Sequence, residues 1–213
     1  QTLIFLSKYN WNVKPISLSI AKPFVQQFHY SKGCSSAAVN CFGLYFNGDN
    51  KTLHGVSWWM PPPLGASKSV MPENPHSVLS LHRFCLREDR PENAGSFLIS
   101  KSIKMICKKR WLKLITYADT ALNHNGGLYR ASNWIYNGLT NKNPLFWNSK
   151  KDCMVSRKKG PKTFTVKEML NMGYKHLGNY AKHRFIYPLI SRNQYQVNQT
   201  ELIFTEKGKI SIN

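Results

Sequence analysis

The sequence predicts an α/β fold, and three observations predict it. Two strand-like runs, at residues 40–46 and 52–60, flank an Asn-Gly-Asp-Asn segment, which indicates a β-hairpin. An apolar run at 78–86 then passes through an arginine-containing turn into a helix-like segment. A second β-prone run, at 114–119, ends in an aspartate and is followed by an Asn- and Gly-rich turn into another helix. Strands therefore alternate with helices along the chain.

The chain of 213 residues, with 42% hydrophobic and 13% aromatic residues, suits one globular domain over 1–213. It contains no run of about 18 apolar residues and no secretory signal, so we expect a soluble, intracellular protein without a membrane partner. The five cysteines are widely spaced and lack a Cys-x-x-Cys pair, which favours reduced structural thiols over a zinc site.

Thirty Lys and Arg residues against ten Asp and Glu give a formal charge of +20 and a pI of about 9.9. Such a surplus favours a polyanionic partner, above all nucleic acid, although a basic charge that only keeps the protein in solution is the alternative. The surplus is dense in the basic C-terminal portion, from about residue 140 to 213. There a basic segment either contacts phosphates or forms a solvated face; its cations are Lys150, Lys151, Arg157, Lys158, Lys159 and Lys162.

The first elements are a short strand at 2–6 and a helix after Pro15. Ser17 or Ser19 can cap this helix, and apolar residues 20, 24 and 28 repeat at four-residue intervals. The helix ends near Gly33, which places His29 and Tyr30 at its end. After the hairpin, which carries Trp58 and Trp59, three prolines begin a Pro-, Gly- and Ser-rich surface loop at 61–75, and loops of that length are often functional.

The strand at 78–86 contains Arg83, which is costly in such a run unless it is paired or aimed at a ligand. The turn that follows leads through Gly95 and Ser96 into a helix running from Phe97 to Trp111. Backbone N–H groups and the helix dipole in a strand, turn and helix unit of this kind can hold a phosphate, although capped helix starts with glycine are common.

The strand at 114–119 delivers Asp119 to its carboxyl end, beside a helix that opens near Tyr129. Ligands bind at such edges of α/β sheets; the alternative is that Asp119 only closes a strand. Downstream, a Thr-Val-Lys-Glu capping box at 165–168 predicts a short helix, and further strands are predicted at 182–187 and 202–204.

This order of elements resembles the Gcn5-related N-acetyltransferase (GNAT) fold, which implies a mixed, largely antiparallel central sheet flanked by helices. In such enzymes the strand, turn and helix unit binds the pyrophosphate of acetyl-CoA, and a tyrosine at the start of the next helix commonly protonates the departing thiolate. Tyr129 occupies that place. The usual glycine-rich Q/R-x-x-G-x-G/A loop is absent, so residues 93–96 must serve instead.

A closer resemblance, to the phage Mom family, covers about residues 15–190. The segments that carry it are residues 28–31 (FHYS), 81–84 (LHRF) followed by Asn93 and Ser96, 117–119 (YAD), His124, 126–134 (GGLYRASNW) and 182–185 (KHRF). The resemblance implies a DNA-modifying enzyme that converts adenine to a carbamoylmethyl form and so shields phage DNA from restriction in the cytoplasm of an infected bacterium. It also implies acetyl-CoA or a related acyl-CoA as cofactor.

On this interpretation Asp119 orients or deprotonates the adenine amine, and Tyr129 is a general acid or positions the cofactor. Arg83 stabilises negative charge or holds substrate, and Tyr30 is a further catalytic candidate. The cofactor candidates are Asn93, Gly95 and Ser96 for the phosphates and Asn133 for the pantetheine arm. The family also implies an iron ion, whose candidate ligands are His29, Tyr30 and Asp119.

A base in duplex DNA must be flipped out before it reacts. Trp58, Trp59 or the loop at 61–75 could stack on it, the alternative for the tryptophans being core packing. Two other functions stay open: a GNAT enzyme that acylates a protein amine, RNA or another modified base, and a basic DNA-binding protein without catalysis. A homodimer is an open alternative to the monomer.

Overall fold

A computed structural model describes residues 10–33, 35–159 and 162–189. The strands expected at 2–6 and 202–204 lie outside these residues. No helix in the described part of the chain has the length and apolar composition needed to cross a membrane.

A seven-stranded sheet forms the centre of the fold and is largely antiparallel, as expected. Its strands are β1 (Trp11–Pro15), β2 (Asn40–Phe46), β3 (Asp49–Met60), β4 (Val78–Leu86), β5 (Lys113–Asp119), β6 (Ile135–Leu139) and β12 (Lys182–Pro188). They lie in the order β1-β2-β3-β4-β5-β12-β6, and only β4 and β5 run parallel within it. The predicted hairpin and the strand at 78–86 are confirmed.

The two parallel strands separate soon after they meet. β4 and β5 pair only over Val78–Ser80 and Lys113–Ile115. Beyond that point β5 keeps its pairing with β12 on the other side, where Asp119 lies opposite Lys182. A wedge-shaped opening therefore lies between the carboxyl halves of β4 and β5, at the sheet edge where the sequence placed a ligand site.

Helices cover both faces of this sheet. They are α1 (Leu18–Phe28), α2 (Leu64–Lys68), α3 (Ala94–Met105), α4 (Gly127–Ala131) and α5 (Val166–Asn171), with short 3₁₀ turns at Pro75–Ser77 and Thr120–Leu122. α1 packs on one face of β2 and β3 and α3 on the other. The loop expected at 61–75 therefore contains α2 and the start of a 3₁₀ turn.

The hairpin tryptophans point to opposite faces of the sheet because successive strand residues alternate in direction. Trp58 packs among the residues under α1 and Trp59 among those under α3, and each is 0% exposed. The hypothesis that either one stacks on a flipped base is therefore wrong. Both belong to the core, where burying an aromatic side chain contributes roughly 1.5–3 kcal/mol.

Two helix predictions need correction. α1 buries Ala21, Phe24 and Val25, whereas Ile20 is 49% exposed, because the face turned to the sheet is offset from the predicted four-residue repeat. α3 ends at Met105 because the next residue adopts an extended backbone. Trp111, expected inside that helix, instead returns to the core after a turn.

Residues 141–181, here called the inserted module, leave the large sheet between β6 and β12. They form a three-stranded sheet of β7 (Asn143–Asn148), β8 (Cys153–Val155) and β11 (Lys175–Tyr180), a two-stranded ribbon of β9 (Lys158–Lys159) and β10 (Lys162–Thr163), and α5. Phe146 on β7 and Met169 on α5 are both fully buried. The basic segment at 150–162 is therefore built largely from strands and turns.

The module is closed at its base and capped as predicted. The Thr140 N–H donates to the Lys182 carbonyl at 2.9 Å, and the Lys182 N–H donates to the Thr140 hydroxyl at 2.9 Å. At the start of α5 the Glu168 N–H donates to the Thr165 hydroxyl and the Thr165 N–H donates to the Glu168 carboxylate, which confirms the capping box. Strands β6 and β12 of the large sheet therefore pair directly, although the module lies between them in the sequence.

Candidate active site

A cavity of about 820 Å³ occupies the opening between β4 and β5. It collects residues from the end of α1, from β4, from β5, from the turn before α4 and from β12. Its polar lining residues are His29, Tyr30, Ser80, His82, Arg83, Tyr117, Asp119, Asn123, His124, Asn125, Tyr129, Lys158 and Lys182. The structure thus brings Asp119, Tyr129, Arg83 and Tyr30 together around one space.

Asp119 is the one carboxylate among these lining residues. It is 5% exposed, and its Oδ2 lies 2.8 Å from the Lys182 Nζ because β12 places Lys182 opposite it. Its Oδ1 accepts a hydrogen bond from the Ala121 N–H at 3.2 Å, which caps the turn after β5. The cation and the amide hold the carboxylate in a fixed orientation, as an acceptor on the wall of the cavity.

Tyr129 lies in the first turn of α4, and its ring packs against Phe185 and Trp134. Its hydroxyl is hydrogen-bonded to the side chain of Thr116, a buried residue of β5. Burial raises the pKa of Tyr129 above its usual value, against the smaller opposing effect of that hydrogen bond. The phenol therefore carries its proton at neutral pH and can donate it, as a general acid must.

His29 and Tyr30 leave α1 at the cavity. The Ser31 N–H donates to the His29 Nδ1 at 3.2 Å, so the imidazole proton lies on Nε2. Burial, and then the positive charge of Arg83, lower the pKa of His29 to about 3, which keeps the ring neutral. Burial and the charge of Asp119 raise the pKa of Tyr30 to about 12, so its hydroxyl is a donor.

Arg83 reaches the cavity from β4 and is anchored there by backbone oxygens. Its Nε donates to the Gly33 carbonyl at 2.8 Å and its Nη1 to the His82 carbonyl at 2.8 Å. Burial and the Arg83 charge lower the pKa of His82 to about 4. Arg83 thus supplies a fixed positive charge to a partly buried site, which suits an anionic group or a developing negative charge.

The proposed iron ligands do not form a metal site in this arrangement. The His29 Nδ1 already interacts with Ser31, and the Asp119 carboxylate is paired with Lys182. The charges of Arg83 and Lys182 around them disfavour a cation. No group of three or more His, Cys, Asp or Glu side chains able to hold a metal occurs among the described residues. The arrangement of His29, Tyr30 and Asp119 therefore does not support an iron site.

The expected cofactor residues are not among those that line the cavity. Asn93 precedes α3 in a left-handed conformation, with φ of 61°, and accepts a hydrogen bond from the Ser96 hydroxyl through its carbonyl. Gly95 is buried, where an added Cβ would lie 2.8 Å from Leu128. Asn133 is exposed in the turn after α4. Their roles in binding phosphates and pantetheine stay predictions.

Lys182 and Thr116 are the site residues that the sequence did not reveal, although Lys182 begins one of the resemblance segments. Both depend on how β5 pairs with β12 and faces α4, and a single sequence does not specify strand register. The histidines at 82 and 124 also line the cavity, and the only signal for them was their place in those segments. Of the six basic residues expected to contact DNA, Lys158 lines the cavity.

Two histidines with lowered pKa values, the buried His29 and the half-buried His82, make the stability of the fold depend on pH. His29 and His82 have folded pKa values of about 3 and about 4, against 6.5 for an ordinary histidine. Below about pH 6.5 the two histidines bind protons in the unfolded chain but stay unprotonated in the folded chain. The free energy of unfolding should therefore fall with pH from about 6.5 to about 4, by at most about 1.4 kcal/mol per pH unit for each histidine.

Urea unfolding measured across this range tests the expectation. His29→Gln removes one of the two groups and should flatten the dependence. Substitution of the exposed His76, which lies outside the cavity, is the matched control and should leave the slope unchanged. An unchanged slope in His29→Gln would show that His29 is not a buried neutral group.

Comparisons with known proteins give a family and a fold. The family described as the Mom protein family matches residues 10–205. Among solved structures, the spermidine N-acetyltransferase from Vibrio cholerae in complex with CoA and spermine is similar at 8% identity, covering 85% of this chain and 97% of that chain with a TM-score of 0.51. The yncA protein of Salmonella typhimurium with its cofactor acetyl-CoA is similar at 6% identity, covering 86% and 96%, with a TM-score of 0.50. No curated protein matches the sequence. The fold is that of the GNAT acetyltransferases.

Proposed function

The chain belongs to the Mom protein family, and on that premise we propose that it modifies the exocyclic amine of adenine in DNA, with an acyl-CoA as cofactor and carbamoylmethyladenine as product. One observation carries the proposal: an anchored carboxylate, Asp119, and a protonated phenol, Tyr129, face the same cavity between two separating strands. In an infected bacterium the modification would shield phage DNA from restriction.

Asp119 can orient the adenine amine, which is the acceptor in the proposed reaction. The amine of adenine is a poor nucleophile because its lone pair is delocalised into the ring, so the enzyme must align it and manage its proton. The carboxylate accepts a hydrogen bond from the amine and fixes its direction. Lys182, on the other side of the carboxylate, holds that acceptor in place.

Tyr129 and Arg83 suit the other half of the reaction. A thiolate that leaves an acyl-CoA needs a proton or a nearby positive charge, and the Tyr129 phenol, which its raised pKa keeps protonated, can supply the proton. Arg83, held by the carbonyls of Gly33 and His82, is a fixed cation in the same cavity. Similarity to CoA-bound structures supports a cofactor of this class.

The structure of the proposed product limits which reaction can form its bond to the amine. A carbamoylmethyl group is joined to the amine through a methylene carbon, whereas ordinary thioester attack joins an acceptor through a carbonyl carbon. Acyl transfer of the usual kind therefore cannot be the whole reaction. Asp119, Tyr129 and Arg83 account for alignment of the amine and for handling of protons. The bond to the methylene further requires a donor whose methylene carbon is electrophilic and carries a leaving group, which departs as the amine loses its proton.

The size and the lining of the cavity are compatible with a base that is flipped out of the duplex. About 820 Å³ lies in the upper range of small-molecule sites and exceeds what a purine fills. Pro61, Pro62 and Pro63 line it beside aromatic and imidazole rings, and the outer two prolines are exposed. They present a rigid, apolar wall against which a flipped base can rest, at an unstacking cost of roughly a few kcal/mol.

Mass spectrometry of nucleosides tests this function. DNA from cells that express the protein should contain a deoxyadenosine heavier by one carbamoylmethyl group, and DNA from cells without it should not. Unmodified nucleosides under conditions where the protein is folded would contradict the proposal. Labelled acetyl-CoA offered with protein, RNA and DNA acceptors then distinguishes a GNAT enzyme with another acceptor, and salt-dependent DNA binding without any transfer indicates a binding protein.

A further inference from the structure

The inserted module is strongly basic. Residues 141–181 contain nine lysines and arginines and two acidic residues, a formal net charge of +7. Both acidic side chains are engaged: Asp152 lies 3.4 Å from the Lys32 Nζ, and Glu168 caps α5 and pairs with Lys162. The positive charge of the module is thus largely uncompensated within it, which favours a polyanion at its surface.

Two attachments set the module beside the cavity. Its base is closed at Thr140 and Lys182, and Lys182 is the residue that pairs with Asp119. Its β7–β8 turn touches the chain just after α1 through the contact of Asp152 with Lys32, two residues beyond Tyr30. The module therefore lies next to the cavity that the catalytic candidates line.

Lys158 is the point where the module reaches the cavity. Among the described residues of the module it alone lines the cavity, and its side chain is exposed. Exposed lining residues mark the mouth of the cavity, whereas buried ones such as Asp119, Ser80 and Leu81 mark its inner wall. Lys158 is therefore a cation at the mouth, with the carboxylate further inside.

A nucleotide that enters with its base toward Asp119 leaves its phosphate at the mouth. Of the other cations of the cavity, Lys182 is paired with Asp119, and Arg83, held by two backbone carbonyls, has the role of stabilising the leaving thiolate in the proposed function. We infer that Lys158 binds the phosphate of the target nucleotide itself and so positions the everted base, beyond any general attraction of the module to the DNA backbone. This inference rests on the proposed function, because it takes the entering group to be a nucleotide of DNA.

Calorimetric titration of the full chain with deoxyadenosine and with dAMP tests the phosphate contact. A hydrogen bond between charged groups stabilises the complex, so the wild type should bind dAMP about tenfold more tightly than deoxyadenosine, equivalent to about 1.4 kcal/mol. Lys158→Gln should remove most of that difference. Lys175→Gln is the matched control, because it takes the same charge from an exposed position of the module outside the cavity, and it should retain the difference.

Acetyl-CoA also carries phosphates, so it forms the second arm of the experiment. Lys158→Gln should leave its affinity within about twofold of the wild type. The inference is overturned if the wild type does not distinguish dAMP from deoxyadenosine, if the two variants lose affinity equally, or if Lys158→Gln weakens acetyl-CoA in place of dAMP. Absence of modified deoxyadenosine in cellular DNA would refute the proposed function separately, since dAMP binding through Lys158 is measured without any reaction.

Discussion

Asp119→Asn is expected to lower adenine modification by about 10²–10⁴-fold, because it removes the charged acceptor that orients the amine and takes up its proton. Asparagine keeps the shape of the side chain and an oxygen that can accept from the Ala121 N–H, so the turn after β5 should survive. Lys182 loses its anionic partner, which leaves a cation facing the place of the amine. Mass spectrometry of nucleosides, beside a thermal unfolding curve, measures both effects.

Asp152→Asn is the matched control for this substitution. It makes the same chemical change in another aspartate that pairs with a lysine, but that pair is exposed and outside the cavity. Exposed pairs contribute about 0–1 kcal/mol, so both stability and modification should stay near wild type. Full modification by a folded Asp119→Asn protein would show that the carboxylate takes no part in the reaction.

The elements that the sequence predicted best are those whose local signals agree with their place in the fold. The run at 78–86 is apolar and bounded by turn residues, and it became β4 with those limits. The capping box at 165–168 formed because both of its hydrogen bonds are local. The carboxylate and phenol could be placed at one sheet edge because strand 114–119 and the next helix are joined by a short turn.

The strands β8, β9 and β10 of the inserted module escaped prediction because they are short. β8 has three residues and β9 and β10 have two each, so no alternation of apolar and polar residues extends far enough to be recognised. Its density of lysines suggested a loop. The ion pair of Asp119 with Lys182 depends on register between strands 63 residues apart, which is a tertiary property.

Gly126 should be the least replaceable residue of the turn that carries Asp119 into α4. Its φ of +78° strains any other residue, and a Cβ there would collide with the ring of Phe185. That ring cannot move aside easily, because it is 0% exposed and packs against Tyr129 and Tyr136. Strain of roughly 1–2 kcal/mol and overpacking of roughly 1–3 kcal/mol should together destabilise Gly126→Ala by about 2–5 kcal/mol in urea unfolding.

Gly138→Ala separates the two contributions to that loss. Gly138 has a similar φ of +81° but no atom within 4 Å of an added Cβ, so it should lose only the strain. In a Phe185→Leu background, where the smaller side chain leaves room, Gly126→Ala should cost no more than Gly138→Ala does. If Gly126→Ala and Gly138→Ala are equally destabilising in the wild-type background, the Phe185 ring does not restrict the turn. Tyr129 would then owe its position in the cavity to other contacts of α4.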